Sequence, residues 1–171
     1  MTVVVNFFGG PGVGKSTMAA GLFFEMKRAG HSVELITEYA KDLTWEERFG
    51  ALSNQVRVFG EQLERLRRVC NKVTFAITDS PLMLSTIYAP PEYPPAWYPF
   101  VVETFNKFKN RNFFIRRGDR PYDPAGRNQS EGEAKVIDAK IEKTLFRYNL
   151  PFSVIHLDTL IRDDLLPLVT R

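Results

Sequence analysis

The sequence predicts an α/β fold in which a mostly parallel sheet lies between two layers of helices. The first observation is that short apolar segments alternate with longer segments of helical periodicity along nearly the whole chain. The second is that residues 73–78 (VTFAIT) form a continuous apolar run, which is typical of a central parallel strand covered on both faces. With 171 residues the chain is long enough to bury one such core, so we predict a single domain over residues 1–171.

Five predicted strands alternate with helices along the chain. The strands are residues 3–8, 32–37, 73–78, 112–116 and 153–157. The main helices are residues 17–29, 53–69, 100–109, 131–148 and 160–169. This order predicts a five-stranded, mostly parallel sheet, in which functional side chains collect at the carboxyl ends of the strands.

Local signals set several of the boundaries. Thr44, with Glu47 three residues later, matches a capping box and therefore predicts a helix N-terminus at Thr44. The proline- and aromatic-rich residues 90–99 are expected to be irregular. Four apolar residues of the long helix are expected to share one face, namely Val56, Phe59, Leu63 and Leu66.

The composition is that of an ordinary folded protein, with 44% hydrophobic and 25% charged residues. The single cysteine, Cys70, excludes an internal disulfide framework. The sequence shows neither a signal segment nor an apolar run long enough for a membrane span, so we expect a cytoplasmic protein with no membrane partner. A net charge of +3 suits the handling of phosphates but does not by itself indicate nucleic-acid binding.

Residues 9–17 (GGPGVGKST) match the pattern G-x-x-x-x-G-K-[ST] of a phosphate-binding loop, with a strand before it and a helix after it. Glycine lets the backbone approach a ligand, and the helix N-terminus favours an anion. A glycine-rich turn without a ligand would not require the complete motif in this context. We predict that the phosphates of a nucleoside triphosphate bind to Gly10, Gly12, Val13, Gly14, Lys15, Ser16 and Thr17. Lys15 would reach the β- and γ-phosphates, and the Ser16 hydroxyl would ligate Mg²⁺.

Three carboxylates follow predicted strands and are candidates for chemistry. Asp79 ends the third strand, where it would be the second Mg²⁺ partner or, compatibly, a cap on the turn before Pro81. Glu38 ends the second strand, and either Glu38 or Asp79 would orient an acceptor hydroxyl and accept its proton. Asp42, one helical turn beyond Glu38, would share in substrate binding or lie exposed in the first turn of a helix.

Residues 117–130, after the fourth strand, are predicted to form an arginine-rich lid. Arginine donates two parallel hydrogen bonds to phosphate and spreads transition-state charge, and a mobile loop excludes water when it closes. Ion pairs with nearby acidic residues would explain some of the arginines but hardly all of them. Arg127 is the first catalytic candidate, followed by Arg116 and Arg120.

The acceptor is expected to bind near residues 38–70 and 82–99. Arg57 and Gln62, on the long helix, would contact it through polar groups, although each would equally suit a solvated helix face. Tyr88 and the neighbouring aromatic residues would stack against a base or simply pack the loop.

These motifs together resemble the small P-loop kinases of the nucleoside and nucleotide kinase branch. The resemblance rests on GGPGVGKST, the glutamate that ends the second strand, TDSP at residues 78–81 and the arginine-rich segment. Residues 37–43 (TEYAKDL) and 122–138 (YDPAGRNQSEGEAKVID) are similar to the ribosylnicotinamide-kinase-like group, which includes many small phage AAA-type ATPases and kinases. Ser80-Pro81 follows the acid where deoxynucleoside and thymidylate kinases commonly have arginine, so their substrate contacts are not carried over.

The resemblance implies a three-layer P-loop NTPase fold with a five-stranded parallel sheet and an arginine-rich lid. It also implies ATP, Mg²⁺ and a kinase that phosphorylates a hydroxyl of a nucleoside, nucleotide or modified nucleobase. One alternative is a phage 5-hydroxymethyluracil DNA kinase, for which modified-base DNA would be the partner. Another is an ATP-hydrolysing switch or assembly ATPase. The sequence does not indicate an oligomeric state.

Overall fold

A parallel sheet organises the fold, with strand order β2-β3-β1-β4-β5. The computed structural model describes residues 1–119, 121–125, 127–159 and 161–171. Within these residues the five strands are Val3–Phe8 (β1), Val33–Ile36 (β2), Phe75–Thr78 (β3), Lys109–Arg116 (β4) and Ser153–His156 (β5). All four neighbouring pairs are parallel, so the predicted sheet is confirmed.

Helices cover both faces of this sheet. They are Lys15–Arg28 (α1), Tyr39–Trp45 (α2), Phe49–Leu52 (α3), Gln55–Val69 (α4), Leu84–Ile87 (α5), Trp97–Asn106 (α6), Glu131–Arg147 (α7) and Leu166–Thr170 (α8). A π-helical turn, Ile161–Leu165, precedes α8. None of the described helices combines the length and apolar character that crossing a membrane requires.

The central strand β1 is buried along its whole length because its side chains alternate between two cores. Val5 and Phe7 pack in the core that contains the apolar side of α1. Val4 and Phe8 pack in the other core, together with side chains from α4, α6 and α7. The two cores give the three-layer architecture and hold the end of β1 at the middle of the sheet.

Buried asparagines link β1 to β4. The amide of Asn6 donates to Oδ1 of Asn110 and to Oδ1 of Asn112, both at 3.0 Å. Asn112 donates in turn to the carbonyl of Pro151 at 2.9 Å. Because Asn6 is only 1% exposed, these bonds satisfy polar groups that water does not reach, and they specify the register in which Asn6 pairs with Asn112.

The predicted helix start at Thr44 is wrong. The helix α2 begins directly after Glu38, and Thr44 lies inside it with its hydroxyl donating to the carbonyl of Ala40 at 3.0 Å. Glu47 has a φ of 55°, so the chain has already left the helix there. Burial of Tyr39 and Leu43 against α4 outweighs the local capping signal, since tertiary packing routinely overrides local preference.

Two boundaries on either side of α6 also differ from the prediction. The helix begins at Trp97, inside the segment 90–99 that was expected to be irregular. Pro99 is tolerated because an N–H in the first helical turn would have no helical acceptor. The strand β4 begins at Lys109 rather than Asn112, because it pairs with β1 from Val3 onward.

The buried face of α4 is rotated relative to the predicted one. Val56 is 59% exposed, whereas Phe59 and Leu66 lie in the core as expected. Gln55 and Gln62 are buried on this helix although both are polar. The reason is that one side of α4 faces a cavity and the N-terminus of α2 instead of an apolar core.

Candidate active site

The glycine-rich loop joins the end of β1 to the start of α1, as predicted. Its backbone is left-handed at Gly12 (φ 76°) and Gly14 (φ 103°), a conformation that residues with a Cβ rarely adopt. Gly14 is the N-cap residue of α1, so the unpaired N–H groups of the first helical turn open onto the loop. This arrangement is a ready anion-binding site.

Lys15 lies at the start of α1 and is only 9% exposed. Its Nζ donates to the carbonyl of Gly10 at 3.0 Å, which folds the side chain back along the loop. Burial lowers the pKa of Lys15, and the carboxylates of Glu38 and Asp79 act in the opposite direction. The loop therefore holds a buried cation close to two carboxylates.

Ser16 and Asp79 form the candidate metal site. The Ser16 hydroxyl donates to Oδ2 of Asp79 at 2.6 Å. Asp79 is 5% exposed, and its Oδ1 has no hydrogen-bond partner among the described residues. A buried carboxylate oxygen without a partner next to a hydroxyl oxygen fits Mg²⁺, which binds oxygen and commonly takes only one or two protein carboxylates beside substrate phosphates.

Glu38 stands at the end of β2, where it immediately precedes α2. Burial raises the pKa of its carboxyl, the charge of Lys15 lowers it, and the neighbouring Asp79 raises it again. Glu38 therefore holds its proton to higher pH than an ordinary carboxyl.

A cavity of about 700 Å³ connects these groups. Its phosphate-loop wall consists of Pro11, Gly12, Gly14, Lys15, Ser16 and Thr17. A second part of the described lining, called the acceptor wall below, is mostly uncharged and consists of Glu38, Ala40, Lys41, Thr44, Trp45, Phe49, Leu52, Ser53, Gln55, Val58, Gln62, Ser80, Pro81, Leu82, Leu84, Ser85, Tyr88 and Pro90. Residues 117–130, called the arginine-rich loop below, contribute Asp123, Ala125, Arg127, Asn128 and Gln129.

The arginine-rich loop lies directly over the phosphate loop. A Cβ built on Gly12 would come within 2.6 Å of Cε2 of Tyr122 and within 3.5 Å of Nε of Arg127. The Arg127 guanidinium lies over the Tyr122 ring, 5.5 Å from its centroid, and donates to the carbonyl of Asp123. Tyr122 is fixed by a 2.6 Å hydrogen bond from its hydroxyl to the carbonyl of Gln129. The structure thus brings Arg127 to the phosphate loop.

The other two arginine candidates are not brought to the cavity. Arg116 is exposed and pairs with Glu142 of α7 at 2.8 Å, and it is not among the described residues that line the cavity. Arg120 lies outside the described residues.

Some of the predicted substrate residues line the cavity and others do not. Gln62 and Tyr88 line the cavity, whereas Asp42 and Arg57 are not among the described residues that do so. Asp42 pairs with Arg65 at 2.5 Å. Arg57 donates through Nε to the hydroxyl of Tyr39 at 3.1 Å.

The Gln62 amide group is occupied by the protein itself. Its Oε1 accepts the backbone N–H of Tyr39 at 3.1 Å, and its Nε2 donates to the carbonyl of Thr37 at 3.3 Å. These bonds tie α4 to the start of α2 on both sides of Glu38. The geometry favours positioning of Glu38 by Gln62, and direct substrate contact by Gln62 stays a prediction.

Tyr88 lines the same cavity as Glu38. Burial raises the pKa of its hydroxyl, and the charge of Glu38 raises it further. The phenol therefore stays protonated near neutral pH and is available as a hydrogen-bond donor.

Two residues that were not named as site candidates lie against the phosphate loop, although Arg117 is the first residue of the predicted lid. Asp138 of α7 accepts the backbone N–H of Gly10 through Oδ1 at 2.6 Å and the Nε of Arg117 through Oδ2 at 2.7 Å. Arg117 also donates to the carbonyl of Pro11 at 2.8 Å. No local motif links Arg117 to Asp138, because they are 21 residues apart in sequence.

A family model described as an AAA domain matches residues 4–160, which is nearly the whole sequence. The chain belongs to this AAA domain family. No curated protein is significantly similar in sequence to this AAA domain protein.

Two solved structures share the fold of the AAA domain protein. Deoxyadenosine kinase from M. mycoides with bound dATP has a TM-score of 0.60 and 16% identity, and the match covers 98% of this chain and 97% of the kinase. The NadR protein in complex with NR has a TM-score of 0.66 and 17% identity, and the match covers 92% of this chain but 44% of NadR. At these identities the likeness concerns the fold, and it confirms the predicted P-loop NTPase architecture.

Proposed function

We propose that this protein is a kinase that transfers the γ-phosphate of ATP to a hydroxyl group of a nucleoside or a closely related compound. The observation that carries the proposal is a single cavity lined by both the phosphate loop and Glu38, whose carboxylate interacts electrostatically with Lys15. A triphosphate tail and an acceptor hydroxyl placed in that cavity would meet between Lys15 and Glu38. Phosphoryl transfer depends mostly on such positioning and on electrostatic stabilisation.

The donor would be held by the loop amides and by Lys15. Ser16 and Asp79 would hold Mg²⁺, which neutralises charge on the phosphate oxygens when it is bound. Arg127 would leave its contacts with Asp123 and turn toward the γ-phosphate, where it would stabilise the charge of the transition state.

The acceptor oxygen would form a bond to the γ-phosphorus while the bond from that phosphorus to the bridging oxygen of ADP breaks. Glu38 would accept the proton that the hydroxyl loses. A half-buried carboxylate with a raised pKa is a better proton acceptor than an exposed one, because the base strength rises with the pKa.

The lining favours an uncharged acceptor. Among the described residues of the acceptor wall, Glu38 and Lys41 are the only charged ones, and their charges are opposite. A nucleotide or a DNA strand would bring phosphate groups that this wall does not neutralise. The structural neighbours are consistent with this choice, since one is a deoxyadenosine kinase and the other is bound to NR.

The test is transfer of labelled phosphate from γ-labelled ATP to a panel of nucleosides, nucleotides and 5-hydroxymethyluracil DNA. We expect a labelled nucleoside, and we expect Lys15→Ala to lower kcat/KM by about 100-fold or more. Lys27→Ala is the matched control, because Lys27 lies on the same helix but pairs with Glu34 at the surface. Label released only as inorganic phosphate would instead support an ATPase, and label in DNA would support a DNA kinase.

A further inference from the structure

We propose that Arg117 and Asp138 are positioning residues that hold the phosphate loop in its binding conformation, so that nucleotide affinity depends on this pair. The inference rests on the proposed nucleotide site but not on the identity of the acceptor. Neither residue lies among the described residues that line the cavity, so we expect neither to contact the nucleotide directly.

The pair forms hydrogen bonds to the backbone of two successive residues of the loop. Asp138 accepts the N–H of Gly10, and Arg117 donates to the carbonyl of Pro11. The direct hydrogen bond between Arg117 and Asp138 closes the network at 2.7 Å. The beginning of the loop is therefore tied to both β4 and α7, just before the amides that would contact phosphate.

The network is largely, but not fully, shielded from water. The side chains of Arg117 and Asp138 are each 15% exposed, so their ion pair is screened less than a surface pair. The backbone of α7 also approaches the loop closely, since a Cβ on Gly10 would lie 2.6 Å from the carbonyl oxygen of Ala134. A contact this tight leaves the Gly10 peptide little freedom to move.

Charge gives a second reason for the pair. Asp138 places a carboxylate 2.6 Å from a backbone N–H of a loop whose ligand is strongly anionic. An unpaired carboxylate there would repel the triphosphate, whereas the paired one contributes no net charge. Arg117 therefore both fixes the loop and neutralises the group that holds Gly10.

The experiment measures the Kd of MgATP and the kcat of the purified full-length protein, with folding checked by urea denaturation. For Asp138→Ala we expect the Kd to rise about tenfold, because the variant loses hydrogen bonds to a charged group and the loop is less ordered when it binds nucleotide. We expect kcat at saturating ATP to change much less, because the bound nucleotide already holds the loop in place during the chemical step. Asp138→Asn should bind more tightly than Asp138→Ala, since its side-chain oxygen still accepts the Gly10 N–H. Glu142→Ala is the control, because Glu142 lies one helical turn further along α7 and pairs with Arg116 outside the cavity.

Further variants separate the two effects of the pair, which are hydrogen bonding to the loop backbone and neutralisation of the Asp138 carboxylate. Arg117→Ala should weaken MgATP binding more than Asp138→Ala, and adding Asp138→Asn to Arg117→Ala should recover part of the affinity. Arg117→Gln is the milder variant if Arg117→Ala is unstable, since its Nε2 still reaches Asp138 but not Pro11, and we expect a smaller rise in Kd.

An unchanged Kd in folded Asp138→Ala and Arg117→Gln would overturn the proposal, as would an equal loss in Glu142→Ala. The nucleotide-binding measurements test the positioning role of Arg117 and Asp138, whereas phosphorylation of an acceptor tests the proposed kinase activity. If the variants follow the expected order but no acceptor is labelled, the pair's role stands and the kinase assignment fails. If the wild-type protein binds no nucleotide, both fail.

Discussion

Burial and the charge of Lys15 have opposite effects on the pKa of Glu38, and the pH dependence of stability and rate should reveal the net shift. Burial raises the pKa of its carboxyl, and the positive charge of Lys15 opposes that shift. An acid whose pKa is higher in the folded state binds its proton more tightly there than in the unfolded chain. The free energy of unfolding contributed by Glu38 therefore falls as pH rises from the ordinary value of 4.5 through the raised folded pKa.

The first prediction concerns Glu38→Gln. We expect the rate of the wild-type enzyme to rise with pH through the raised pKa of Glu38, because only the carboxylate accepts a proton. The variant should lose this rise and turn over about 100-fold or more slowly, yet be at least as stable at neutral pH. The measurements are a pH–rate profile and urea unfolding, with Glu64→Gln as a surface control. A variant that keeps the wild-type rate would remove Glu38 as the base.

The second prediction compares two left-handed glycines. Gly12→Ala should abolish most nucleotide binding, because its Cβ would collide with Tyr122 above the loop. Gly30 has a similar φ of 81°, but among the described residues other than its chain neighbours no atom lies within 4 Å of a Cβ built there. Gly30→Ala should cost about 1 kcal/mol of stability through backbone strain alone and leave turnover intact. Urea unfolding and MgATP titration separate the two effects, and equal nucleotide affinity in both variants would contradict the contact.

At the scale of whole elements, the arginine-rich loop brings one arginine to the phosphate loop, whereas α7 pairs with another outside the cavity. Arg127 faces the phosphate loop, whereas Arg116 pairs with Glu142. The third prediction is that Arg127→Ala lowers kcat about 1,000-fold with a smaller effect on ATP affinity, as expected for a residue that acts on the transition state. Arg116→Ala should change kcat by less than about twofold, since exposed ion pairs contribute little. Steady-state kinetics measure both effects. A larger loss of kcat in Arg116→Ala than in Arg127→Ala would assign the catalytic role to Arg116 instead.

Elements also show why some of the site was predictable and some was not. The phosphate loop is contained in consecutive residues 9–17, so its motif, strand and helix are visible together in the sequence. The pair of Arg117 and Asp138 exists only because β4 and α7 pack together at the loop. The start of α2 was missed for a similar reason, because burial of Leu43 and the hydrogen bond from Tyr39 N–H to Gln62 are long-range effects.

At the scale of the whole molecule, one sheet positions the residues that would bind the phosphate donor and the acceptor. Because β1 lies between β3 and β4, the phosphate loop, Asp79 and Arg117 all emerge near the sheet centre. A ligand that bridges these strand ends binds only the folded chain and therefore stabilises the whole fold by mass action.

The fourth prediction follows from this linkage. ATP with Mg²⁺ at about 100 times its Kd should add about 2.7 kcal/mol to the free energy of unfolding, or roughly 5–10 °C in Tm. Ser16→Ala should lose the part of the shift that depends on Mg²⁺, because its hydroxyl is the predicted metal ligand. Thermal unfolding with ATP alone and with ATP and Mg²⁺ measures this part, and Ser32→Ala is the control. An undiminished Mg²⁺ increment in Ser16→Ala would argue against that ligand.

The asparagine side chains between β1 and β4 have a consequence at the sheet edge. Gly10 and Pro11 follow β1, and Arg117 follows β4, so the alignment of the two strands sets the separation of Arg117 from Pro11. A slip of one residue would move β4 by about 3.3 Å along β1, which the 2.8 Å hydrogen bond from Arg117 to Pro11 would not survive. Side-chain amides between two strands thereby govern the geometry with which the protein meets a phosphate.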